Sequence, residues 1–124
     1  MVQPLALLFY ERVMPGSQLQ TRLEALGYQV HITNVVEDVF PLAKSLKPLI
    51  IFADLVTKKK DVCPIFSRLH QDPDTQHIPI IAITDSSDPG LDATAREAGA
   101  NIVVNESAIS MHLKPLLERA LAVE

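Results

Sequence analysis

The run Pro48-Leu49-Ile50-Ile51-Phe52-Ala53-Asp54-Leu55 constrains this chain more than any other stretch. It is apolar except for one carboxylate near its end. A strand of this kind needs cover on both faces, which a parallel sheet with helices on each side supplies. In open sheets of that class, function gathers at the carboxyl ends of the strands. Asp54 stands at that end. An Asp after a strand is also a common turn former or helix cap, so position alone leaves both readings open.

The rest of the chain repeats the pattern. Leu5 to Tyr10 reads as a first buried strand, followed by Glu11-Arg12. Met14-Pro15-Gly16 reads as a turn, and Ser17 with Gln20 matches a capping box. Leu19, Leu23 and Leu26 then recur at helical spacing, and Gly27 closes that helix. Tyr28 to Thr33 alternates apolar and polar residues, which suits a strand near a sheet edge. Asn34 is placed to cap a helix carrying Val35, Val39, Leu42 and Leu46, with Pro41 expected to kink or shorten it.

Beyond Asp54, Lys58-Lys59-Lys60 reads as a solvated loop with a docking role as the alternative. Asp61 can cap a helix that has Pro64 in its first turn and Ile65, Phe66 and Leu69 on its buried stripe. Asp72-Pro73-Asp74 is a turn, and Ile78 to Thr84 a further buried strand. A polar loop from Asp85 to Gly90 leads into a helix that runs from about Pro89 and ends at Gly99. Asn101 to Val104 makes a short fifth strand. Ser107 to Ser110 offers caps for a last helix with Leu113, Leu116, Leu117 and Leu121 inward, and Pro115 is expected to bend it. Strict alternation of five strands with five helices predicts an α/β, flavodoxin-like (βα)5 sandwich with strand order 2-1-3-4-5.

The 124 residues, 48% of them hydrophobic, suit one domain spanning 1–124 with an ordinary core. A lone cysteine, Cys63, cannot form an internal disulfide, and a cytoplasmic, reducing setting is expected. Cys63 at a helix start could have a lowered pKa, but a small packed residue is the simpler reading. A net charge of −4 and 5% aromatic residues argue against a nucleic-acid binder. No run suits a membrane span. His31, His70, His77 and His112 lack metal-ligand spacing. A glycine-rich phosphate loop after the first strand is missing, which disfavours nucleotide or flavin binding.

Several blocks in this order resemble the receiver domains of bacterial response regulators. They are Leu26-Gly27-Tyr28, Asp54-Leu55, Leu69 with Asp72-Pro73, His77-Ile78-Pro79-Ile80-Ile81-Ala82-Ile83-Thr84 and Glu97-Ala98-Gly99-Ala100. The resemblance covers essentially the whole chain. It implies Asp54 as the phosphoacceptor position and Thr84 as the switch hydroxyl. It also implies an Mg²⁺ site from Asp54 and two acids after the first strand. Here those two positions are Tyr10 and Glu11, so Glu11 and Asp54 remain as candidate, weak metal ligands.

Other positions depart from the family. The lysine that pairs with the phosphoryl group becomes Glu106, and the proline after it becomes Ser107. The switch aromatic becomes Val103. Lys58 and Lys59 replace the proline and glycine that shape the loop after the acceptor. The resemblance therefore implies a degenerate pseudo-receiver that signals by protein–protein contact without aspartyl phosphorylation. Its partner would be a histidine kinase or a downstream effector, docked on the face of the fourth helix, fifth strand and fifth helix. The alternative is a working response regulator phosphorylated on Asp54 with Mg²⁺. A small metal-dependent enzyme using Glu11, Asp54 and Glu106 is the least favoured reading, since no nucleophile and base pair is visible. The chain is expected to be either a stand-alone receiver or a piece of a longer protein.

Overall fold

Four mainly apolar runs and one alternating run become five parallel strands: β1 (Leu5–Phe9), β2 (Gln29–Thr33), β3 (Ile50–Asp54), β4 (Ile80–Thr84) and β5 (Ile102–Asn105). Their order is β2-β1-β3-β4-β5, so β3 is central and β2 is an edge. Three helices separate the first four strands: α1 (Val13–Ala25), α2 (Val36–Leu46) and α3 (Cys63–Gln71). Residues 96–98 are helical before β5, and residues 113–119 are helical after it. The computed structural model describes residues 4–10, 13–54, 63–84, 93, 96–105 and 113–119. The loops expected around Lys58-Lys59-Lys60, Asp61 and Asp85 to Gly90, and the caps at Ser107 to Ser110, lie outside them.

Alternation along each strand divides the core in two. Leu7, Phe9, Ile51, Ala53, Ile80 and Ala82 face α2 and α3, where they meet Val39, Ala43, Phe66 and Leu69. Ala6, Leu8, Ile50, Phe52, Ile81 and Ile83 face the other way, toward Leu19 and Leu23 of α1 and Leu113, Leu116 and Leu117. β3 and β4 are buried along their whole length, as a strand between two helical layers must be. β2 has exposed Gln29 and His31, as an edge strand tolerates.

Several local expectations need correction. The first helix starts at Val13, so Met14-Pro15-Gly16 is its first turn and not a separate turn. Pro15 is tolerated there because the first N–H groups of a helix have no intrahelical acceptor. Ser17 is then inside the helix and is no cap; its carbonyl accepts from Thr21 Oγ1 at 3.0 Å. Leu26 lies beyond the last helical residue and is 43% exposed. Asn34 does not cap α2 either. Val35 holds that position, is largely exposed, and makes no side-chain cap; its N–H donates to Thr33 Oγ1 at 3.2 Å.

Pro41 does not shorten α2, which runs on to Leu46 and ends on Lys47 at φ 50. Residues 113–119 are likewise helical through Pro115. Leu49 is exposed and lies before β3. Gly99 ends its helical turn as expected, at φ 134, with the His70 ring packed where a side chain would stand. His70 Nε2 lies 2.7 Å from the Gly99 carbonyl.

The layer of α2 and α3 is also tied by charge. Lys44 Nζ lies 3.0 Å from Asp72, and Arg68 stacks on the Phe40 ring at 4.2 Å. The Asp74 N–H donates to Asp72 Oδ1 at 2.8 Å, closing the Asp72-Pro73-Asp74 turn. That bond first, and Lys44 second, hold the Asp72 carboxyl below its ordinary value. A depressed carboxyl stabilises the fold above its unfolded pKa of about 3.9, and that contribution disappears as pH falls through the folded value. The stability gap between wild type and Asp72→Asn, measured by urea unfolding, is therefore expected to be largest near neutral pH. It should close on acidification below about pH 4. A gap that does not change with pH would contradict this assignment.

Candidate functional site

Asp54 is the last residue of β3 and is wholly buried. It pairs with Ile83 of β4. Among the described residues no buried side-chain nitrogen or oxygen lacks a hydrogen-bond partner, so the carboxylate is satisfied where it stands. Thr84 ends β4, one residue beyond the Asp54–Ile83 pair, and is 9% exposed. The parallel ladder thus brings the two residues of the expected site to one end of two neighbouring strands.

Tyr10 extends β1 by one step. Its N–H donates to the Thr33 carbonyl at 3.1 Å, continuing the ladder to β2. Since Phe9 is paired with Ala53, Tyr10 stands level with Asp54. Its ring is 4% exposed and belongs to the α1-side core cluster with Leu8, Phe52 and Ile83. Val103 pairs with Ala82 and is partly buried against the opposite cluster. It therefore acts as a packing residue of β5.

Glu11, Glu106, Ser107 and Lys58-Lys59-Lys60 lie outside the described residues. The metal reading consequently has one described ligand, Asp54, and no cluster of three His, Cys, Asp or Glu occurs among the described residues. A hard cation takes about six oxygen ligands. One carboxylate beside an aromatic ring is a poor start for such a site, and the described residues do not by themselves fit the ion.

The roles of two polar residues escaped the sequence reading. Asn105 ends β5 and pairs with Thr84, one step beyond the expected strand end. Asn101 precedes β5, and its Oδ1 accepts the Ile80 N–H at 2.9 Å. Asn is depleted in strands, which pointed away from Asn105, whereas Asn101 was expected as the first strand residue and stands just before β5. A cleft of about 570 Å³ opens at the other end of the sheet, between Leu5, Tyr28, Val30 and Leu46. Neither Asp54 nor Thr84 lines it. No helix among the described residues is long and apolar enough to cross a membrane.

This architecture is the flavodoxin-like receiver fold. A protein from Chloroflexus aurantiacus assigned as a response regulator superposes with a TM-score of 0.90, covering 98% of this chain and 100% of its own at 21% identity. The receiver domain of a sensor histidine kinase from Pseudomonas aeruginosa, solved with a magnesium ion coordinated in its active site cleft, gives 0.87 with 98% and 100% covered at 19% identity. The signal receiver domain of a modulated diguanylate cyclase from Desulfovibrio desulfuricans gives 0.82 with 98% and 95% covered at 24% identity. No protein-family model and no curated protein matches the chain. At these identities the likeness establishes the fold, while function rests on the site.

Proposed function

We propose that this chain is a pseudo-receiver: a two-component signalling module that docks a protein partner and does not depend on phosphorylation of Asp54. The observation that carries this reading is Tyr10, which stands level with Asp54 and is packed into the apolar core. Where a receiver would place a metal-ligating acid, this chain places an uncharged ring. A carboxylate attacking a phosphoryl group needs that group's charge neutralised. Tyr10 removes one metal ligand, and Glu106 puts an anion where a receiver has its lysine.

A working response regulator is the second reading, favoured by Asp54 and Thr84 at the same ends of adjacent strands. Intact mass after incubation with acetyl phosphate and Mg²⁺ separates the two. The pseudo-receiver is expected to gain no phosphoryl group, and Asp54→Asn to behave as wild type. A gain of one phosphoryl group on wild type that Asp54→Asn abolishes would overturn the proposal. Once a partner is in hand, its affinity for Asp54→Asn should equal that for wild type.

A further inference from the structure

A carboxylate at a strand end is ordinarily solvated, since ionised groups are almost never fully buried unless paired. Asp54 is 0% exposed and its carboxylate is hydrogen-bonded, and two residues flank it across the sheet. Ile83 is its register partner on β4, and Tyr10 stands level with it beside β1. Alternation puts all three on the face that carries Phe52 and Ile81. Register and alternation thus place Asp54 between an aliphatic and an aromatic neighbour on one face of the sheet. Both are buried, Ile83 at 0% and Tyr10 at 4% exposure.

We propose that Tyr10 is a positioning residue that covers the Asp54 carboxylate and limits its access to reagents in solution, phosphodonors included. The inference deepens the reading above and rests on its placing of the site at Asp54. It gives that reading a physical cause within the described residues: the acceptor position is present but covered. Tyrosine suits the task, because its ring offers a large apolar body that packs into the core cluster. A short acid in the same place would leave the carboxylate open and hydrated.

Coupling of a small amine to carboxylates by a water-soluble carbodiimide, followed by peptide mass mapping, tests the cover without any phosphoryl chemistry. Asp38, exposed on α2, is the internal standard. In wild type Asp54 should couple at least about tenfold more slowly than Asp38, because burial excludes the reagent. Tyr10→Phe should match wild type, since the ring and not the hydroxyl provides the cover. Tyr10→Leu should couple several times faster at Asp54 with Asp38 unchanged, and Tyr10→Ala faster still.

Tyr10→Ala removes a buried ring and risks unfolding, so Tyr10→Leu with a native circular dichroism spectrum decides. A folded Tyr10→Leu with the wild-type rate at Asp54 would overturn the proposal. So would wild-type Asp54 coupling as fast as Asp38, or Tyr10→Phe reacting as fast as Tyr10→Leu. Failure here leaves the phosphorylation result standing, and a phosphorylated wild type leaves the coupling rates standing, so the two readings fail separately.

Discussion

Replacing Phe52 by alanine is expected to cost about 3–5 kcal/mol of folding stability. Phe52 is the middle residue of the central strand and is fully buried. Leu8 on β1 and Ile81 on β4 are its register partners, so no edge is near enough for the sheet to close over the lost ring. Rigid neighbours leave the cavity largely open, and the cost of an aromatic deletion then approaches the upper part of its range. A domain of this kind has about 5–15 kcal/mol in total. The variant should therefore lose about a fifth or more of its stability, with a urea midpoint lower by about 1 M or more at the usual slope. Leu26→Ala is the control. Leu26 is 43% exposed beyond α1, and its removal should stay within about 0.5 kcal/mol. Equal losses from the two variants would mean that the core is not organised around β3.

The contrast between Phe52 and Leu26 also shows what a sequence of this kind reveals. Runs such as Ile50 to Ala53 are apolar at every position, and a strand between two helical layers satisfies them. Alternation of strands and helices then gives a parallel sheet with right-handed crossovers, and the size of five units in about 120 residues suggests the flavodoxin-like strand order. Element ends are set by weaker forces. Pro15 and Gly16 look like a turn because both punctuate structure, yet Pro15 in a first turn costs nothing in hydrogen bonds, and Leu19 and Leu23 have enough buried surface to hold the helix. Pro41 removes one α2 hydrogen bond, which burial of Val39 and Ala43 offsets. Asn34 has the residue type of a cap, but the Thr33 hydroxyl reached the Val35 N–H instead. Leu49 and Val35 are apolar and exposed, and neither periodicity nor composition marks them as such.

For the candidate site, the strand-end placement of Asp54 and Thr84 was legible because the strand pattern fixes where each strand ends. The burial of Tyr10 was legible in principle, since it continues the alternation of Ala6 and Leu8 toward one face. Its level with Asp54 was not, because register between β1 and β3 depends on the paired backbone and not on either strand alone. Composition likewise gave no hint of the Lys44–Asp72 pair, which joins residues far apart in sequence.

Glu106→Lys is expected to have the largest effect on the chemistry of the site. Glu106 follows Asn105, the last residue of β5, and β5 lies beside the strand that ends in Thr84. In the receiver pattern that the sequence resembles, a lysine at this position contacts the phosphoryl group. Two unit charges about 4 Å apart interact by roughly 4 kcal/mol at an effective dielectric of 20. Changing Glu106 to lysine exchanges that repulsion for attraction. Solvent and salt screen most of it, but a residual of only about 1.4 kcal/mol already shifts an equilibrium tenfold. Intact mass after acetyl phosphate and Mg²⁺ should accordingly show a phosphorylated fraction in Glu106→Lys at least about tenfold above the background level at which wild type shows none. The gain should vanish in Glu106→Lys with Asp54→Asn. Glu106→Gln removes the repulsion without adding attraction and should fall between the two. An unchanged yield in a folded Glu106→Lys would mean that charge at this position is not what limits the site, and that access past Tyr10 is the stronger restriction. The double variant Tyr10→Asp with Glu106→Lys tells these apart. Additive gains would assign each residue its own share, whereas a gain only in the double variant would mean that the cover must be removed before the charge can act.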